Sequence, residues 1–161
     1  MLRTILFILL YLAANPLLAQ NSIPTTQLTS LEGASHSTDD IFKTGQPILL
    51  VFWATWCSHT TTGLTEIQDD YFLDWVDDHN LKVVAVATDD AKTSTRVPLI
   101  ANSSGWEYEM YSDVNGDFRR AMGINNAPYL ILINPEGEII WQQNAYFEGD
   151  AEIIDAKLAK M

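Results

Sequence analysis

The sequence predicts an α/β chain of the layered α+β kind, a central mixed sheet flanked by helices, and three observations predict it. Two apolar segments of strand length, the unbroken run Ile48–Trp53 and residues 81–88 built around Val83-Val84-Ala85-Val86-Ala87, are separated by a stretch whose apolar residues recur at helical spacing. The last third holds another pair of strand-like segments around Asn134-Pro135-Glu136-Gly137. The 161 residues, 47% of them hydrophobic, suit one domain with its own core and exclude global disorder.

Taken in order, residues 1–19 begin with one positive residue, Arg3, continue as an apolar run over 5–14, and close on Asn15-Pro16-Leu17-Leu18-Ala19 before Gln20. Charged start, short apolar stretch and small residue at the cut are the order of a secretory signal peptide. The run is shorter than the roughly 20 apolar residues of a membrane span. The expectation is an exported, periplasmic protein, anchored to a membrane only if the segment stays uncleaved; Leu17, a poor residue for an Ala-x-Ala site, keeps that alternative open. Residues 20–46, rich in Ser, Thr, Asp and Gly, read as an irregular lead-in with one short edge strand at Gln27–Ser30. The folded domain is expected over 47–161.

Pro47 introduces Ile48–Trp53, whose unbroken apolar character means burial on both faces, as in a parallel sheet. Leu64, Ile67, Tyr71, Leu73, Trp75 and Val76 then predict a long amphipathic helix over 58–79. With the strand at 81–88 this forms a βαβ unit, so the two strands should be parallel. A second helix is predicted over 93–103, in which Pro98 has to sit in the first turn or kink it. A short strand at 108–112, a turn at 113–117 and a short helix over 118–122 closed by Gly123 follow. Residues 129–133 and 138–143 flank the Pro-Gly turn as a hairpin, and a helix over 150–160 ends the chain.

Charge and cysteine count narrow the function. Nine Lys and Arg stand against 21 Asp and Glu, a formal charge of −12, with no basic cluster to displace counterions from phosphates; nucleic acid is not an expected partner. Removing 1–19 takes away Arg3 and no acid, so the remainder is more acidic still. One Cys permits neither an intramolecular disulfide nor a Cys-based zinc framework. A lone thiol in an oxidising compartment needs a reason. Cys57 and His59 with His36 or His79 would be soft metal ligands, but His79 closes a long helix away from its start and three ligands cannot be assembled. Residues 113–117 lack the length and terminal Glu of a calcium loop. Neither a metal nor a cofactor is expected.

Cys57 falls where a buried strand turns into a helix, in Phe52-Trp53-Ala54-Thr55-Trp56-Cys57-Ser58-His59-Thr60. Free backbone N–H groups and the positive end of the helix dipole there favour a thiolate over a thiol. This run resembles the active-site motif of thioredoxin-fold proteins, in particular the exported TlpA/ResA-like thiol–disulfide oxidoreductases, which carry Phe-Trp-Ala-x-Trp-Cys-x-x-Cys. The resemblance extends over 46–160 and includes Val84-Ala85-Val86 with Asp89-Asp90-Ala91-Lys92, Asn126-Ala127-Pro128, and Ile133-Asn134-Pro135-Glu136-Gly137. It implies a thioredoxin fold with a cis peptide bond before Pro128. It also implies a substrate-facing groove of Trp56, Ala127 and Pro128.

The departures matter as much. The second, resolving Cys of the family falls on Thr60, so Cys-Ser-His-Thr replaces a two-thiol motif. A hydroxyl at Thr60 is expected to donate a hydrogen bond to the Cys57 sulfur. The buried acid of ordinary thioredoxins falls on Val51; the resemblance gives its work to Asp90, in the loop after the next strand, and adds His59 as a cation beside the sulfur. A peroxiredoxin site would need a Pro-preceded Thr three residues before the Cys, where this chain has Ala54. The expected activity is single-Cys thiol–disulfide exchange with protein or peptide thiols and disulfides, an external thiol reductant resolving the adduct. The alternative is a redox-inactive module that binds an extended peptide.

Overall fold

The computed structural model describes residues 22–147 and 149–161, so the segment read as a signal peptide lies outside the described residues. Seven strands form one mixed sheet: β1 (Gln27–Ser30), β2 (Ser35–Ser37), β3 (Ile48–Trp53), β4 (Lys82–Ala87), β5 (Glu109–Ser112), β6 (Tyr129–Ile133) and β7 (Ile139–Asn144), in the order β2-β1-β5-β4-β3-β6-β7. β3, β4 and β5 are parallel neighbours, β6 adds antiparallel to β3, and β7 adds antiparallel to β6. The layered mixed architecture is the one the apolar runs and the Pro-Gly turn predict.

The alternation of β3 and β4 builds the core on both sides of this sheet, because successive side chains leave opposite faces. Leu49, Val51, Trp53, Val83, Ala85 and Ala87 face the helices that follow β3 and β4 and the last helix; Ile48, Leu50, Phe52, Val84 and Val86 face the other way. On that second side Phe118 sits between Phe42 and Phe52, with ring centroids at 5.6 and 5.4 Å.

Residues 22–46 hold more structure than the composition predicts. β1 pairs antiparallel with β5, β2 returns along β1, and α1 (Thr38–Phe42) delivers Ile41 and Phe42 to the second core. Ser37 caps α1, its hydroxyl accepting from the Asp39 N–H at 3.2 Å.

The helix expected over 58–79 is present in three pieces: α2 (Ser58–Glu66), a π turn at Ile67–Tyr71, and α3 (Phe72–His79). Across the wider turn Ile67 and Trp75 are buried with Tyr71 half-buried between them, and Leu73 and Val76, expected on the apolar face, are exposed. The next helix opens with a 3₁₀ turn at Ser94–Arg96 and continues as α4 (Val97–Ser104), Pro98 lying in its first turn where no N–H partner is needed. α5 (Asp117–Ala121) and α6 (Asp150–Leu158) complete the chain. The acidic turn before α5 is a capping device: the Asp113 carboxylate accepts from the N–H groups of Phe118 and Arg119 at 3.2 and 2.8 Å. No helix among the described residues is long and apolar enough to cross a membrane.

Candidate functional site

β3 ends at Trp53, fully buried, and the chain turns before α2 begins. The Cys57 N–H closes that turn on the Ala54 carbonyl at 3.1 Å. Cys57 is then the N-cap residue of α2, with φ −105° and ψ 98°, and its carbonyl accepts from Thr60 and Thr61 at 3.1 and 3.3 Å. Its thiol is half-buried and makes no capping bond, so it stands at the open end of the helix, where the first-turn N–H groups lack helical partners.

Thr60 lies one turn on and is 2% exposed. Its hydroxyl has no hydrogen-bond partner, so the expected bond to the Cys57 sulfur is not formed. Burial leaves that hydroxyl desolvated. His59 is exposed on the same turn and borders a cleft of about 510 Å³ shared with Glu66, Asp70 and Tyr146. Trp56 is 62% exposed and borders a second groove, of about 680 Å³, with Thr65, Asp69 and Ile100 across it. Trp53 packs edge-on against Trp106 at 5.3 Å, so of the two tryptophans one is core and the other rim.

The Ala127–Pro128 peptide bond is cis, as the resemblance implies. Register places it: Tyr129 opposes Phe52 in the β3–β6 ladder, so Pro128 lies at the level of Trp53, at the sheet end from which the Cys57 turn departs. Ala127 and Pro128 are both half-buried.

The two acids that follow β4 are placed differently. Asp90 is exposed and spends its carboxylate on the following turn, accepting from the N–H groups of Lys92 and Thr93 at 2.9 and 3.3 Å. Its neighbour Asp89 is 1% exposed and accepts from Thr55 twice, from the backbone N–H at 2.9 Å and from the hydroxyl. The alternation of β4 held the signal: Val83, Ala85 and Ala87 face α2, and two residues further the same face receives Asp89. Val51, at the position of the missing buried acid, is a core residue of that face.

Two further residues escaped the sequence reading. Tyr146, in the segment between β7 and α6, lies so close to α2 that a Cβ at Gly63 would come within 2.6 Å of its ring. Burial, and then the Glu66 carboxylate, push the Tyr146 hydroxyl above the ordinary tyrosine range. A glycine in mid-helix was the available signal, since it weakens the helix unless something must approach closely. Of the remaining histidines, His36 lies in β2 edge-on to Tyr111 at 5.7 Å, and His79 ends α3. Among the described residues no group of three or more His, Cys, Asp or Glu is arranged to hold a metal ion.

A βαβ unit followed by a hairpin and helix, with a thiol at the helix N-terminus and a cis-proline at the same sheet end, defines a thioredoxin-like protein. The chain belongs to the AhpC/TSA family, whose sequence model matches residues 19–142. Within it the chain is similar to the DsbE-like thiol:disulfide oxidoreductases. It is 25% identical over 118 residues to the thiol:disulfide interchange protein DsbE of Haemophilus influenzae, a match covering 73% of this chain and 61% of that protein. The chain thus spans about three fifths of the length of that curated relative. The solution structure of a thioredoxin-like protein from Porphyromonas gingivalis superposes with a TM-score of 0.75 at 31% identity, covering 88% of this chain and 91% of that one. The crystal structure of StoA from Bacillus subtilis shares the fold, with a TM-score of 0.65 at 22% identity over 83% of this chain and 96% of that one.

Proposed function

We propose that the protein is an exported, single-cysteine thiol–disulfide exchange protein with Cys57 as its nucleophile. The observation that carries this reading is the pairing of a half-buried Cys57 at the start of α2 with a buried Thr60 one turn later, in a chain that keeps the cis-proline. The Cys57 thiolate attacks one sulfur of a partner disulfide, forming a mixed disulfide with Cys57 and releasing the other partner sulfur as thiolate. Thr60 carries no sulfur to reverse this from within. An external thiolate attacks the adduct, takes the partner into a new disulfide and returns Cys57 as thiolate. Partners are therefore protein or peptide disulfides and a thiol reductant. Export rests on the order of residues 1–19, and the domain that follows works outside the cytoplasm, where disulfides persist.

Mixed-disulfide trapping tests this. Partners released by reductant should be recovered on wild-type protein and absent from Cys57→Ser, and Cys57 should alkylate faster than a cysteine in an unstructured peptide at the same pH. Equal recovery on both proteins overturns the proposal.

The 62% exposure of Trp56 favours one other reading, a redox-inactive module that uses the groove for peptide recognition alone. Peptide binding unchanged in Cys57→Ser, together with no exchange activity in the wild type, would select it.

A further inference from the structure

We propose that Asp89 is the positioning residue of the Cys57 turn, acting through Thr55, and that this tie to the end of β4 sets where the thiol stands. The inference rests on Cys57 being the reacting group. A carboxylate that is 1% exposed is retained in a fold only when its oxygens are hydrogen-bonded, and both oxygens of Asp89 are spent on one residue of the turn. Oδ2 accepts from the Thr55 N–H at 2.9 Å and Oδ1 accepts from the Thr55 hydroxyl. Thr55 lies between the two residues that close the turn, Ala54 with its carbonyl and Cys57 with its N–H.

The preceding residue strengthens the tie. Thr88 donates to the Trp53 carbonyl through its N–H at 2.8 Å and its hydroxyl at 3.0 Å. Residues 88 and 89 together thus supply four hydrogen bonds to the exit of β3, just before the helix that bears Cys57. Asp90 contributes none of them and serves the turn that follows. A nucleophile held this way meets its partner from a fixed direction, which is where positioning raises a rate.

The test uses variants that separate hydrogen bonding from bulk. Thr55→Val keeps the shape and the backbone N–H but removes the hydroxyl; Thr55→Ser keeps the hydroxyl. Asp89→Asn keeps an acceptor for the N–H and a carboxamide for the hydroxyl. Two readouts are taken on the purified chain: the alkylation rate of Cys57 at fixed pH, and hydrogen exchange of the Cys57 amide, which reports the bond to Ala54. Thr55→Val should slow alkylation and speed exchange by about tenfold each, the worth of one hydrogen bond to a charged group. Thr55→Ser and Asp89→Asn should hold both readouts within about threefold of wild type, as partly or fully replaced bonds require. Wild-type values for both readouts in Thr55→Val would overturn the proposal, and so would a Ser variant as impaired as the Val variant. If wild-type Cys57 alkylates no faster than an unstructured cysteine, the nucleophile reading fails instead, and the exchange data alone decide the role of Asp89.

Discussion

At the scale of single residues, the proposed exchange turns on Thr60, which offers a hydroxyl one turn after Cys57. Its hydroxyl is buried without a partner, a state that costs about 1–3 kcal/mol relative to a satisfied one. Thr60→Cys exchanges that hydroxyl for a thiol that behaves as a small apolar group, so the variant should be no less stable than the wild type. It should also cyclise under oxidant and, starting reduced and without added thiol, convert one protein disulfide per chain to two free thiols while ending as an internal disulfide, whereas the wild type should stop at the mixed disulfide. Counting substrate thiols released per chain and the adduct left behind checks this, and a variant that still accumulates the mixed disulfide would contradict it. The placement of Cys57 at the start of α2, of Thr60 in its first turn and of the cis bond before Pro128 was legible because immediate neighbours in the chain carry each signal. The buried acid was not, because Asp89 and Asp90 are adjacent at a strand end. A one-residue step in β register sends a side chain to the opposite face.

At the scale of elements, α2 is held by what packs on it more than by its own composition. Gly63 has its Cβ position within 2.6, 2.8 and 3.0 Å of three ring atoms of Tyr146. Gly63→Ala should therefore destabilise by about 1–3 kcal/mol through overpacking, although Ala is favoured over Gly in a helix by about 1 kcal/mol. The sign should reverse in a Tyr146→Ala background, where only the helix preference is left. Denaturant midpoints for the four proteins of this double-mutant cycle measure the coupling, and additivity would refute the contact. The long strands and the crossover were legible from their apolar runs. β2 and α1 were not, since Ser35–Ser37 has no apolar residue and Thr38–Phe42 is too short for a helical period to show. Both are fixed by tertiary partners: β2 by its ladder to β1, α1 by the burial of Ile41 and Phe42 against the sheet. The π turn was hidden for a related reason, because one extra residue per turn looks like noise in a pattern read at 3.6.

At the scale of the whole molecule, tyrosines packed against α2 and on β5 are expected to make stability depend on alkaline pH. The Tyr108 hydroxyl donates to the Leu64 carbonyl of α2 at 2.6 Å, and that of Tyr111 donates to the Glu109 carboxylate at 3.1 Å. Burial first, and the Asp69 charge next, hold Tyr108 well above the ordinary tyrosine value of 10.0; burial first, and Glu109 next, push Tyr111 up to about 12. Tyr146 shifts the same way. In each case the fold favours the protonated form, so the native state binds these protons more tightly than the unfolded chain. Their contribution is complete below the unfolded value of 10.0 and is lost as pH rises through 10 towards 12. Ionisation would also turn Tyr108 from a donor into an acceptor facing a carbonyl, breaking its bond to α2, while the chain already carries a formal charge of −12 at pH 7. The expected outcome is a denaturant midpoint that falls steeply between about pH 10 and pH 12, with tyrosinate absorbance appearing together with loss of helix signal rather than before it. Tyr111→Phe should flatten that slope, because one of the differentially bound protons is gone. Tyrosinate appearing in the still-folded protein at the pH of a free tyrosine would show that the buried hydroxyls do not couple to the fold.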